Sequence, residues 1–269
     1  MVRENGSIYL FTFVMSILYQ AKQKIHTLNS YFSYRQYAAQ AVDSLTQLAA
    51  FKDIHRGERC FIIGNGPSLK KTDLSRLRHE FTFGLNRIYL LFAELGFSTS
   101  YFVSVNRLVM EQFAAEIATN VQVPKFTTWE NHDLAHQIPD TSFLFRHNAV
   151  GFYEDVGQGV WSGGTVTYVA MQLAFHMGFE QVILIGVDHS FATKGKANKT
   201  VVSEGGDPNH FDARYFGKGV RWQLPDLDTS EVGYALAQQH YETAGRQIVD
   251  ATIGGKLQIF PKVAYDALF

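Results

Sequence analysis

Cys60-Phe61-Ile62-Ile63 is a short, unbroken apolar run that ends directly in Gly64-Asn65-Gly66-Pro67-Ser68-Leu69. A strand that is apolar on both faces belongs inside a parallel sheet covered by helices on both sides. Glycines just past such a strand let the backbone turn sharply and approach a ligand closely. The free backbone N–H groups of the turn, with the Asn65 amide and the Ser68 hydroxyl, suit phosphate or ribose oxygens. Gly64, Asn65, Gly66 and Ser68 are therefore candidate ligand contacts. The run does not have the form of the dinucleotide fingerprint, and no Gly-Lys-Ser/Thr follows, so a Walker loop does not apply either.

The rest of the chain agrees with this first strand. Further strands are expected at Phe81–Leu85, Tyr101–Val105, Lys125–Thr128, Ser142–Phe145, Gln181–Ile185 and Leu257–Phe260. Helices are expected over about Ile88–Leu95, Leu108–Ala118, Thr165–Met177 and Glu231–Asp250. Strand–helix alternation predicts an α/β fold, a doubly wound, mostly parallel Rossmann-like sheet. Residues 1–56 lack strand signals. They read as an N-terminal helical extension before a nucleotide-binding domain over 57–269, and the last strand close to the C-terminus makes that domain read as complete. The stretch 191–228 is rich in Gly, Pro, Asp, Asn and Lys but carries Phe211, Tyr215, Phe216 and Trp222. A connection of this length is usually functional or disordered, and its aromatic residues argue for an ordered lid beside the site.

Composition narrows the partners. Of 269 residues 46% are apolar and 18% charged, with a formal net charge of -1. This is a globular composition with no basic field for a nucleic-acid backbone, so no nucleic-acid partner is expected. The single cysteine, Cys60, rules out an intrachain disulfide framework. No metal ligands are assigned, and a reducing, cytoplasmic setting is expected. Ile8–Tyr19 is apolar but shorter than the roughly 20 residues of a spanning helix. It reads as a buried or oligomer-forming helix. The alternative is an interfacial helix with Lys22 and Lys24 behind it, in peripheral contact with the inner membrane.

Four further groups carry chemistry. Asn86 and Asn106 each end a strand and precede an arginine, where ligands of open α/β sheets sit; each is equally suited to cap a helix. Trp161-Ser162-Gly163-Gly164-Thr165 opens a helix whose first N–H groups suit an anion, which singles out Ser162, Gly163, Gly164 and Thr165. Gly186-Val187-Asp188-His189 ends another apolar strand: Gly186 lets the backbone turn, Asp188 suits a ribose or an orienting role, and His189 an acid, base or phosphate contact. In the lid, His210 is the preferred general base, and Tyr215 and Lys218 suit a departing phosphate.

Together, GNGPSL, the strand-end Asn86 and Asn106, WSGGTV and IGVDHSF resemble two related groups. One is the 6-hydroxymethylpterin diphosphokinase-like family, with its polysaccharide-locus and flagellin-modification relatives. The other is the bacterial sialyltransferase family built on one modified Rossmann domain. Similarity to the sialyltransferases implies inverting, metal-independent transfer from CMP-sialic acid. It carries nucleotide contacts onto Asn65, Gly66, Ser68, Asn86, Asn106, Ser162 and Gly163. Ser190 stands where that family has a phosphate-binding tyrosine, and Lys218 where it has its catalytic histidine, so His210 is expected to act instead. Similarity to the diphosphokinases implies ATP, Mg²⁺ and a pterin alcohol. Their acidic segment has no counterpart in Ser104-Val105-Asn106-Arg107.

The expectation is a nucleotide-dependent transferase, sialyltransferase-like, using a nucleotide-sugar donor and a small-molecule or glycan acceptor in surface polysaccharide or glycoconjugate synthesis. It needs no cofactor. A Mg²⁺-dependent diphosphokinase and a non-catalytic nucleotide-sugar-binding protein are the alternatives. A homo-oligomer stays open.

Overall fold

The computed structural model describes residues 30–269. The apolar stretch 8–19, expected to be helical, lies outside the described residues. The chain divides into two compact units, 1–42 and 43–269. The described part of the first unit is helix α1, residues 30–40. Helix α2 (Val42–Ala50) leads into the second unit. There Leu48 is fully buried in the core and the Ser44 hydroxyl accepts from the backbone N–H of Phe143. Residues 43–56, assigned from sequence to the N-terminal extension, therefore pack as part of the sheet-bearing unit.

Five strands follow in order: β1 (Arg59–Ile63), β2 (Phe81–Leu85), β3 (Tyr101–Val103), β4 (Lys125–Thr128) and β5 (Thr141–Leu144). The links are 3-10 turns, the short helix α3 (Phe92–Leu95), α4 (Arg107–Asn120) and α5 (His132–Ala135). A two-residue pair, β6 (Arg146–His147) with β7 (Val160–Trp161), precedes α6 (Val166–His176) and β8 (Gln181–Ile185). The hairpin β9 (Thr200–Val202) and β10 (Arg221–Gln223), then α7 (Leu227–Thr243) and β11 (Gln247–Asp250), complete the order. Seven strands form one sheet in the order β11-β8-β1-β2-β3-β4-β5. Every pairing in it is parallel. The doubly wound α/β reading of the sequence holds.

The unbroken apolar strands follow from this layering. In β1, Cys60 and Ile62 face a core shared with α6 and α7, while Phe61 and Ile63 face the opposite core. Burying both faces removes any need for polar alternation. Helix α6 is buried along nearly its whole length, which explains its mostly apolar sequence; the buried Gln172 and His176 hydrogen-bond to backbone groups.

Two expectations at the C-terminal end are corrected. The helix expected to run to Asp250 stops at Thr243, and Gly245 has a left-handed φ of 71°. Gln247–Asp250 then pairs with β8 as the last strand of the sheet. Leu257–Phe260 is not a strand. Leu257 and Phe260 are apolar because they are buried against the core, and pairing here is confined to a single bridge between Asp250 and Lys262.

Strand order also sets the position of the site. From β1 the chain winds outward through β2 to β5, then returns to β8 on the other side of β1. The carboxyl ends of β1 and β8 thus form the switch point where open α/β sheets bind ligands.

Candidate functional site

At that switch point the two glycine turns close on each other. Gly64 N donates to Ile185 O at 2.8 Å and Gly66 N to Gly186 O at 2.9 Å. A Cβ on Gly64 would fall 2.3 Å from Gly186 O, and one on Gly66 1.8 Å from Asp188 Oδ2. No side chain fits at either position, so both glycines are required by packing alone. Ser68 completes the lock: its hydroxyl donates to Asp188 Oδ2 at 2.6 Å and its backbone N–H to Asp188 Oδ1 at 3.2 Å.

Beside this lock opens a cleft of about 650 Å³ along the carboxyl edge of the sheet. Gly64, Asn65 and Gly66 line it from β1, Asn86 from β2 and Asn106 from β3. Ser162, Gly164 and Thr165 line it ahead of α6, and Gly186, Asp188 and His189 beyond β8. The lid contributes His210 and Tyr215. Three expected site residues stand elsewhere. Ser68 is buried behind the turn and reaches the cleft only through Asp188. Gly163 packs on the Tyr168 ring, where a Cβ would come within 2.4 Å. Lys218 is exposed on the lid, away from the cleft lining.

Helices α4, α6 and α7 all begin at the cleft, as a parallel sheet demands, and side-chain caps take several of their first amides. Asn106 caps α4, its Oδ1 accepting from Leu108 N and Val109 N, while its amide donates to Gln223. Thr165 caps α6 by accepting from Thr167 N. Asn65 differs. Its amide donates to Leu85 O at 3.0 Å, and its Oδ1 is buried without a partner.

The lid is ordered over the β1 and β2 ends. Phe211 N donates to Asn65 O at 2.9 Å. Arg87, the arginine after the strand-end Asn86, is buried, and its guanidinium donates to the Arg214 carbonyl at 2.8 Å and to the Tyr215 carbonyl. It also pairs with Glu116 at 3.0 Å and lies 3.8 Å from the centre of the Phe113 ring. Tyr215 stacks on His210 with ring centroids 3.9 Å apart. Burial pushes the Tyr215 hydroxyl well above the usual tyrosine range, outweighing the lowering by Arg87 and by a hydrogen bond from the Asn86 side chain. Tyr215 is therefore a neutral hydrogen-bond donor at any physiological pH.

His210 Nδ1 lies 2.6 Å from Oδ2 of Asp207, whose side chain is 3% exposed. A buried carboxylate on one ring nitrogen fixes the tautomer and leaves Nε2 as the nitrogen that can exchange a proton. His189 has a similar but more open pair, Nε2 with Glu231 Oε1 at 2.9 Å. Asp207, Glu231 and Arg87 carry these arrangements and were not assigned from sequence. Asp207 sits three residues before His210, a spacing that local turns bring together. Glu231 and Arg87 are joined to the site only by the fold.

Mg²⁺ is implied by the diphosphokinase resemblance. Among the described residues, no three His, Cys, Asp or Glu side chains converge as metal ligands. Asp188 is held by Ser68, and Asp226 by Thr229 N and Asn198. The carboxylates of the cleft do not fit a Mg²⁺ site.

A doubly wound parallel sheet with a glycine-lined cleft at its switch point defines a Rossmann-like α/β protein. The chain belongs to the 6-hydroxymethylpterin diphosphokinase MptE-like family, whose profile matches residues 34–194, more than half of its length. No curated protein matches it in sequence. Among solved structures it is similar to the MAf glycosyltransferase from Magnetospirillum magneticum AMB-1, with a TM-score of 0.53 and 16% identity. That match covers 85% of this chain and 39% of the other, so the chain spans well under half of its structural neighbour. At this identity the likeness concerns the fold. No helix among the described residues is long and apolar enough to cross a membrane.

Proposed function

We propose that the chain is a nucleotide-dependent transferase that moves a sugar from a nucleotide-sugar donor, CMP-linked in the closest reading, to a hydroxyl acceptor. The observation that carries this reading is the Asp207–His210 pair on the lid, stacked on Tyr215 above the switch-point cleft. In this scheme His210 Nε2 takes the proton of the acceptor hydroxyl as its oxygen bonds to the anomeric carbon. The bond from that carbon to the phosphate oxygen breaks, and its electron pair leaves with the nucleotide. The positive end of the α6 dipole, which opens at the cleft, would favour the growing negative charge. Asp207 orients the ring and stabilises the imidazolium. Lys218, exposed on the lid, has no part in it.

Family membership favours a second reading, diphosphate transfer to a pterin-like alcohol. That reaction needs carboxylates to hold the metal on the phosphates. The carboxylates of this cleft are engaged elsewhere, and no step is derived through Mg²⁺.

Thermal stabilisation by CMP, CDP, UDP, GDP, ADP and ATP, each with Mg²⁺ or with EDTA, separates the two. A ligand at one hundred times its Kd stabilises by about 2.7 kcal/mol. A shift with CMP or another sugar-carrying nucleotide in EDTA supports glycosyl transfer. A shift confined to ATP with Mg²⁺ replaces that reading with diphosphate transfer. No shift with any nucleotide removes both.

A further inference from the structure

Helix α1 presents Tyr31 and Phe32 to solvent, 53% and 63% exposed. Their rings meet edge to face with centroids 5.8 Å apart. One turn further on, the Arg35 guanidinium lies 5.8 Å from the centre of the Tyr31 ring. Among the described residues, Arg35 is the one arginine with no carboxylate or carbonyl partner. An adjoining pair of exposed aromatic rings beside an unpaired cation is the kind of surface that marks an interaction site.

The sequence of the same unit says what the surface suits. No Asp or Glu stands between Glu4 and Asp43. That interval holds Lys22, Lys24 and Arg35 together with the apolar run Ile8–Tyr19, although the chain as a whole is -1. Cationic and apolar groups are thus gathered in the first unit, and almost all carboxylates belong to the second.

This segregation chooses the partner. A second copy of the same face would bring like charges together, with no carboxylate in the interval to pair them. A nucleic-acid backbone would meet the cations but leave the apolar run and the two rings uncovered. An anionic bilayer surface takes both: lipid headgroups attract Lys and Arg, and the boundary between headgroup and acyl chain accepts tyrosine and phenylalanine rings. Ile8–Tyr19 is shorter than the roughly 20 residues needed to cross, so contact at the surface is what its length suits.

We infer that the first unit docks on an anionic lipid bilayer, with Tyr31 and Phe32 entering the headgroup boundary and Lys22, Lys24 and Arg35 meeting lipid phosphates. The inference does not depend on the transfer reading.

The test is co-sedimentation of the full chain with vesicles of phosphatidylcholine alone or mixed with phosphatidylglycerol. Binding is expected on the anionic vesicles and not on the neutral ones, and it should weaken at high salt. Replacing all three cations (Lys22→Gln, Lys24→Gln, Arg35→Gln) should weaken it by roughly a hundredfold, since each cation near such a surface contributes about a factor of five. Tyr31→Ser with Phe32→Ser should weaken it by roughly tenfold and keep the salt dependence. A melting temperature at the wild-type value reports that each variant folds. Hydrogen exchange in the wild-type chain needs no variant, and should slow at residues 31–35 when anionic vesicles are added. The inference is overturned if neither kind of vesicle binds, if both bind equally, if the triple variant binds like wild type, or if exchange slows only elsewhere. A dimer in solution that Tyr31→Ser with Phe32→Ser breaks, with no vesicle binding, would instead make this face a contact between copies.

Discussion

Asp188 occupies the space that a side chain on Gly66 would need. Its Oδ2 lies 1.8 Å from where the Cβ of that residue would be, held there by the Ser68 hydroxyl at 2.6 Å. Gly66→Ala must therefore displace either Asp188 or the backbone of β8. Forcing atoms into a packed site costs about 1–3 kcal/mol. The expected result is a stability loss in that range by urea denaturation, with nucleotide stabilisation abolished. A variant that still binds nucleotide normally would show that the turn is not the binding element.

Asp207→Asn keeps the shape of the lid but changes what His210 Nδ1 meets. With its orienting carboxylate gone, transfer should fall by about 10²–10⁴. Nucleotide stabilisation should be unchanged, since Asp207 is outside the cleft lining. Wild-type turnover in this variant would move the base assignment to His189, whose partner is Glu231.

Arg87 pins the lid from below through the Arg214 and Tyr215 carbonyls. Glu116 is half exposed, so losing its pair with Arg87 costs little; the loss should fall on the lid, whose two carbonyls are left without a donor at about 1–3 kcal/mol each. Arg87→Met is expected to speed proteolytic cleavage within residues 203–219 at least tenfold. Transfer should drop with it, because His210 loses the Tyr215 ring it stacks on. Unchanged cleavage would mean that the lid is held mainly by its own aromatic packing.

Burial raises the hydroxyls of Tyr101 and Tyr265 to about 12. Both keep their protons in the folded chain while the unfolded chain releases them near pH 10. The stability they supply is complete below about pH 10 and is lost as pH climbs toward 12. Buried Tyr215 and Tyr241 act in the same direction. The melting temperature should fall steeply above pH 10, and after the early titration of exposed tyrosines such as Tyr31 the remaining tyrosinate absorbance should rise only with unfolding. Complete tyrosinate formation in the still-folded protein would contradict this.

Lys218→Ala should change transfer less than twofold and leave stability alone, since the side chain is exposed and outside the cleft. A large loss would require the lid to move so that Lys218 enters the site.

Sequence alone determined six of the seven strands of the sheet. Continuous apolar runs such as Cys60–Ile63 and Val182–Ile185 are dictated by burial on both faces, and the glycines after them by local backbone geometry, so both are legible one segment at a time. It failed at Gln247–Asp250, a strand hidden in a helical pattern, and at Leu257–Phe260, because burial makes residues apolar whether or not they pair. Several candidate site residues stand out for the same local reason: the strand-end asparagines, the turn at Gly64–Gly66, and His210. The division of labour among them was decided only by the tertiary structure. Ser68 serves Asp188 rather than a ligand because the turn after β8 folds over it. Asn106 is spent on capping α4, whereas the Asn65 amide is spent on the Leu85 carbonyl at the end of β2. Arg87 became the anchor of a lid more than a hundred residues away. Hydrogen-bond capacity is a property of each residue type, but whether it is already used depends on neighbours that are distant in the chain and are supplied by the fold.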